Sequence, residues 1–187
     1  MRHSPVMRMQ TPDEALAVAA ANGDRDAFAA LLSRHYDRVF GLAFRLTGSK
    51  AEAEDLTQDI CLALPAKLGS FRQAARFTTW LFRVTVNAAH DRRRRAASHA
   101  KAADGWGDWE TARRAEMAQA AEAEDWLATT MARLSPELRD TIALTLGEQL
   151  SQKEAAEALG LSEGTVAWRM SEVKKRLRQM ARAEGML

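Results

Sequence analysis

Cysteine is nearly missing: Cys61 is the only one in 187 residues. That forbids an intrachain disulfide and suits a reducing compartment. Proline (four) and glycine (ten) are also scarce, and no sustained alternating run of β-branched residues occurs, which argues against a sheet protein. Long apolar runs are absent as well. The longest uncharged stretch, Ala15–Gly23, has nine residues, whereas a bilayer-spanning helix needs roughly 20; no membrane insertion is expected. No apolar core precedes a small-residue cleavage site near Met1, so the start does not read as a secretory signal. His3, His35, His90, His99 and Cys61 form no ligand-spaced cluster, so neither a metal nor a cofactor is expected. What is present is 47% apolar and 28% charged residues, the balance of a folded chain, here read as cytoplasmic and long enough for one ordinary domain or two small ones.

The net charge of +2 conceals strong segregation. Positions 76–101 hold Arg76, Arg83, Arg92, Arg93, Arg94, Arg95 and Lys101 against Asp91, a net +6. Positions 102–125 hold seven acids against Arg113 and Arg114, a net −5. Positions 165–182 hold six cations against Glu172, a net +5. Each basic block alone reads as a solvated helix face. Two of them, separated by an acidic spacer, suggest two surfaces for a polyanion.

The fold class is all-α. Helix starts recur at Thr11-Pro12-Asp13-Glu14, Ser49-Lys50-Ala51-Glu52, Ser135-Pro136-Glu137 and Ser151-Gln152-Lys153-Glu154, where cap hydroxyls, prolines and returning carboxylates serve orphan amides. Between them the apolar residues step at helical spacing. Phe28, Leu31, Leu32, Val39, Leu42 and Leu46 share a face beside Tyr36, Phe40 and Phe44, and Leu56, Ile60, Leu64 and Leu68 follow at steps of four. Leu138, Ile142 and Leu146 repeat the pattern, as do Val166, Met170, Val173 and Leu177, so all are assigned to the core. Cys61, beside Ile60 and Leu64, reads as a small buried hydrophobe. The organisation expected is a helical domain over 10–97, an acidic linker over 98–130 with Trp106, Trp109 and Trp126, and a smaller helical domain over 131–187.

Two constellations carry function. In the first, Asp55, Gln58 and Asp59 share one face of a helix opposite Leu56, Ile60 and Leu64. A catalytic acid pair is disfavoured, because no histidine is adjacent, no Gly-rich loop follows, and nothing desolvates these carboxylates. A solvated face and a dock for a basic partner both stay open. Downstream, Phe71, Arg76, Phe77, Trp80, Arg83 and Asn87 lead into Arg92, Arg93, Arg94 and Arg95. Aromatics interleaved with arginines suit single-stranded nucleic acid, with rings on unpaired bases and guanidinium groups along phosphates.

In the second, Ser151–Leu159 is a short capped helix, Gly160 supplies its stop, Leu161 anchors the turn, and Ser162 caps a further helix beginning Glu163-Gly164-Thr165-Val166. This is a helix-turn-helix layout, whose second helix enters the DNA major groove; an ordinary helical hairpin is the plainer reading. On that helix Ala167, Trp168, Ser171, Glu172 and Lys175 face outward, and Lys174-Lys175-Arg176 would neutralise phosphates without reading sequence.

The stretch Ala53-Glu54-Asp55-Leu56-Thr57-Gln58-Asp59, then Phe77-Thr78-Thr79-Trp80-Leu81 with Asn87 and Asp91-Arg92, then Leu134-Ser135-Pro136-Glu137 and the helix-turn-helix, resembles the extracytoplasmic-function sigma factors of bacterial RNA polymerase. The resemblance implies that Asp55, Gln58 and Asp59 dock on the clamp helices of core RNA polymerase. It implies that Phe71, Arg76, Phe77, Trp80, Arg83, Asn87 and Arg92–Arg95 melt and read the −10 element of promoter DNA, capturing an unstacked base. Ser162, Thr165, Ala167, Trp168, Arg169, Ser171, Glu172 and Lys175 would then read the −35 element. It implies also an anti-sigma factor that hides both surfaces, to which the linker tryptophans offer apolar area, and no catalytic residues.

Three departures stand out. Pro65 falls mid-helix, so a kink or early helix end is expected there. Trp168 and Glu172 replace the basic or polar residues common on the −35 helix; Glu172 either accepts from cytosine or repels phosphate. Arg92 and Arg93 add positive charge where mixed residues are usual. The alternative from another class is a helix-turn-helix regulator with an N-terminal effector or dimerisation module, against which the Asp55–Asp59 face and the aromatic-arginine helix argue. A nucleic-acid enzyme would need a carboxylate cluster for metal or an activated nucleophile, and neither is visible in the sequence.

Overall fold

The structure, a computed structural model, describes residues 11–102 and 133–183. The linker tryptophans Trp106, Trp109 and Trp126 lie outside the described residues. Seven α-helices are found among the described residues: α1 (Asp13–Ala21), α2 (Arg25–Thr47), α3 (Lys50–Leu68), α4 (Phe77–Ala102), α5 (Pro136–Ile142), α6 (Gln152–Leu159) and α7 (Glu163–Ala183). A π-helical turn, Ala143–Gly147, follows α5 directly. No helix among them is long and apolar enough to cross a membrane.

Helix α2 is the axis of the N-terminal half and packs against α1, α3 and α4. Leu31, Val39, Leu42 and Leu46 meet Leu56, Ile60, Leu64 and Leu68 of α3 and Phe77, Leu81, Phe82 and Val86 of α4, all buried. Each such side chain contributes roughly 1.5–3 kcal/mol relative to exposure. The caps follow the local sequence. Asp24 accepts from the amides of Asp26 and Ala27 at 3.0 Å, Ser49 accepts from Glu52, and Ser151 with Glu154 forms a complete capping box. The Ser151 hydroxyl and then its amide hold the Glu154 carboxyl below its ordinary range. Glu14 does something that local reading misses: its Oε1 accepts from the Phe77 amide at 3.1 Å, so α1 caps α4 across the fold.

The C-terminal half has its own small core of Leu134, Leu138, Ile142 and Val173, backed by Leu177 and Met180. It does not stand apart. Ala143, Leu144, Ala155, Ala156, Ala158, Val166 and Met170 join the N-terminal residues in one continuous cluster. Helix α6 packs on α4 as well as on α7, and the π turn packs on α2.

Four expectations are corrected. Leu146 is 63% exposed rather than core. The i→i+5 turn, seen in the Glu148 amide reaching the Ala143 carbonyl at 3.1 Å, breaks the step of four and brings Ala143 and Leu144 inward instead. Tyr36 and Phe44 sit at the solvent edge of α2. Pro65 does not end α3, which continues to Leu68, because Leu64 and Leu68 anchor the final turn in the core while the ring faces solvent. Cys61 is half-buried rather than buried. Burial still pushes its thiol up, so less thiolate is present at any given pH. Alkylation of native Cys61 at pH 8 should run several-fold slower than in the urea-unfolded chain, which a timed mass measurement checks.

Candidate polymerase and nucleic-acid interfaces

Asp55, Gln58 and Asp59 lie exposed on the outer face of α3, with Leu56 and Ile60 buried behind them. The two carboxylates are not solitary. Arg92 reaches across from α4 to Asp55 at 3.0 Å and to Asp59 at 3.4 Å. Such an exposed bridge is worth at most about 1 kcal/mol, so a cationic partner can exchange with Arg92. Nothing in the sequence announces this pairing, since its ends are more than thirty residues apart.

Beside that bridge, α3 and α4 diverge to form a groove of about 780 Å3. Of the residues assigned to the −10 element, Trp80, Arg83, Asn87, Arg92 and Arg95 line it. Ser70, from the loop over 69–76 that the resemblance also assigns to that element, lines it too, as does Lys67, which was missed. The signal for Lys67 was available, because it sits two turns beyond Asp59 on the same face of α3. The connecting loop 69–76 holds Gln73 at φ 55°, a left-handed conformation uncommon outside glycine.

The remaining −10 candidates are placed otherwise. Phe77 is 1% exposed, and its ring packs within the fold edge-to-face with Phe71 at 5.6 Å and tilted against Trp80 at 5.6 Å and His35 at 5.4 Å. It has no face open to a base, so the assignment of Phe77 as a stacking platform is corrected: the first residue of α4 points into the core. Phe71 and Trp80 are partly buried in the same cluster. Arg92–Arg95 do not form a single patch, because consecutive helical residues diverge by about 100°. Arg92 turns to Asp55 and Asp59, Arg93 to Asp140 across the halves at 2.7 Å, Arg94 to Asp91 at 2.6 Å, and Arg95 into the groove.

The helix-turn-helix is present as read. Gly160 takes φ 67°, a left-handed stop after α6, and Leu161 donates back to the Ala156 carbonyl at 2.9 Å. Ser162 accepts from the Thr165 amide at 3.2 Å and shares a 2.8 Å hydroxyl contact with Thr165. Val166, Met170 and Val173 are buried; Ala167, Trp168, Ser171 and Lys175 face solvent. Arg169 reaches the Glu137 carbonyl at 3.5 Å. Glu172 is paired with Arg176 at 3.3 Å, which offsets its charge next to a phosphate.

The seam between the halves carries two buried carboxylates that no local pattern marks. Glu148, 5% exposed in its side chain, is held by Arg38 at 3.1 Å and by Arg45. Asp140, 4% exposed, is held by His90 at 2.8 Å and Arg93 at 2.7 Å, while its Oδ1 has no partner. Arg45 runs flat against Gly147, where a Cβ would collide with its Nε. Arg76 lies 3.8 Å from Glu154.

Residues 31–99 match the Sigma-70 region 2 family and residues 124–177 the Sigma-70 region 4 family. The chain is similar to ECF RNA polymerase sigma factor SigM of Mycobacterium tuberculosis, 32% identical over 181 residues that span 92% of this chain and 86% of that protein. It is similar also to RNA polymerase sigma factor CnrH of Cupriavidus metallidurans, 31% identical over 196 residues, 96% of this chain and 99% of that one. The solved structure of CnrH in complex with the cytosolic domain of CnrY matches with a TM-score of 0.66 at 32% identity, covering 91% of this chain and 97% of CnrH. A carboxylate face, a basic groove and a helix-turn-helix, set in that order along a chain related over more than nine-tenths of its length to SigM and CnrH, lead to one assignment: the chain belongs to the extracytoplasmic-function sigma factors, which direct RNA polymerase to promoters.

Proposed function

We propose that residues 10–97 form the module that binds core RNA polymerase and the −10 element, that 98–130 link it to the rest, and that 131–187 form the −35 module. The supporting observation is the placement of the carboxylates of α3 at the rim of the groove lined by Lys67, Arg83, Asn87 and Arg95. Polymerase and a displaced strand would then bind side by side on one helix pair. Capturing a base costs a few kcal/mol of unstacking, which Trp80 at the groove wall and the surrounding cations offset. The chain acts in the cytoplasm as a binding factor without catalytic residues of its own. CnrH is solved with the cytosolic domain of CnrY, which supports an anti-sigma partner here.

Purified chain with core polymerase should start transcription at a cognate promoter with no other initiation factor. Retardation of duplex DNA without initiation would favour the helix-turn-helix regulator instead. Reversing charge at Asp55 and Asp59 should cut polymerase retention in a pull-down at least tenfold, and leave retardation of a −35 duplex within twofold. Unchanged retention would remove α3 from the interface.

A further inference from the structure

Several polar side chains near the start of α7 are engaged within the fold. Ser162 and Thr165 are tied to each other, Arg169 to the Glu137 carbonyl, and Glu172 to Arg176. The stripe left facing solvent runs through Gly164, Ala167, Trp168, Ser171 and Lys175. Its dominant feature is the Trp168 indole, 64% exposed, between residues too small to shield it. Exposed Lys174, Lys175, Arg178 and Arg182 follow on the same helix, and their charge matches phosphate rather than an apolar protein partner. In the major groove a flat apolar side chain discriminates bases through one group above all, the C5-methyl of thymine. We propose that Trp168 specifies the −35 element by contact with thymine methyl groups.

This inference rests on the sigma-factor reading, and the test separates the two. Holoenzyme reconstituted from this chain and core polymerase is used to enrich a duplex library randomised over the −35 element. Each thymine in the enriched element is then replaced by deoxyuridine, which removes only the methyl. The wild-type holoenzyme should enrich at least one thymine on either strand and lose about fourfold in affinity per methyl it covers. Trp168→Ala should bind more weakly yet show less than 1.5-fold discrimination between thymine and deoxyuridine, while Ser171→Ala keeps the full penalty. Trp168→Phe, with a smaller ring, should keep part of it. Because Trp168 lies outside the Val166–Met170–Val173 core, these variants retain the fold, which circular dichroism verifies. An enriched element without thymine, or an equal deoxyuridine penalty in wild type and Trp168→Ala, overturns the proposal while the sigma-factor reading stands. A holoenzyme that enriches no sequence overturns both.

Discussion

Replacing Asp140 with asparagine and Glu148 with glutamine is expected to open the chain. In the packed arrangement the two halves share one core and are latched by these carboxylates, Glu148 held by Arg38 and Arg45 and Asp140 by Arg93 and the His90 ring, all from the other half. Breaking a buried ion pair from one side costs about 3–5 kcal/mol. The lower end applies here, because Arg38, Arg45 and His90 remain partly open to water. About 3 kcal/mol per latch shifts the closed-to-open ratio by more than a hundredfold. The asparagine fares worse than a simple loss of charge, since its amide would meet the position where Oδ1 already lacks a partner.

With the two halves assigned to the −10 and −35 elements as proposed, promoter binding demands opening. Elements centred near −10 and −35 lie roughly 25 base pairs apart, about 85 Å at 3.4 Å per base pair, whereas a compact chain of this length has a radius of gyration of only about 16 Å. The packed halves cannot reach both elements at once. Energy transfer between dyes on Ser33→Cys and Ser171→Cys, in a Cys61→Ser background, should therefore fall in the doubly neutralised variant and on addition of core polymerase. Salt alone should have little effect, because both carboxylates are shielded from counterions. Transfer that stays high in the variant would show that the apolar seam through Ala143, Leu144 and the α6 alanines holds the halves without the latches.

Phe77→Ala should be the most destabilising single change among the aromatics of α4. The ring is fully buried, packs against three neighbouring rings, and begins the helix whose first amide Glu14 caps. Emptying such a site costs about 3–5 kcal/mol, enough to remove a large part of the stability of a domain. Trp80→Ala, at the groove wall, should cost less stability and more −10 strand affinity. Urea unfolding of both variants, with binding of a single-stranded −10 oligonucleotide, separates the roles. Equal stability losses would mean that Trp80 is as much a core residue as Phe77.

Why one aromatic was misassigned and its neighbours were not follows from what a sequence contains. Periodicity and caps located the helices other than α4, because apolar steps of three and four, hydroxyl caps and the Gly160 stop are local signals; α4 came with the interleaved aromatics and arginines and with the resemblance. The same locality made Phe77-Thr78-Thr79-Trp80 look like one uniform strip, although a helix turns successive rings through different directions. The run Arg92–Arg95 scattered for the same reason. Arg92 on Asp55, Arg93 on Asp140 and Arg45 on Glu148 join residues 37 to 103 positions apart, and no spacing rule reaches across such gaps. The acidic face and the helix-turn-helix were legible because each lies within one helix or one turn. The groove between α3 and α4 was legible only on its α4 wall, whose arginines and aromatics stand out, while Lys67 passed as an ordinary helix-end cation.

The wide turn at Ala143–Gly147 gives the C-terminal half an adjustable register. It holds one residue more than a regular coil would, so closing it into a regular coil at unchanged length would rotate everything downstream by about 100°. Leu146 would swing toward the interior, and Glu148 would no longer face Arg38 and Arg45. A chain regularised in this way would keep α7 intact and yet lose its resting posture, so the pitch of this one turn sets how tightly the C-terminal half is stowed.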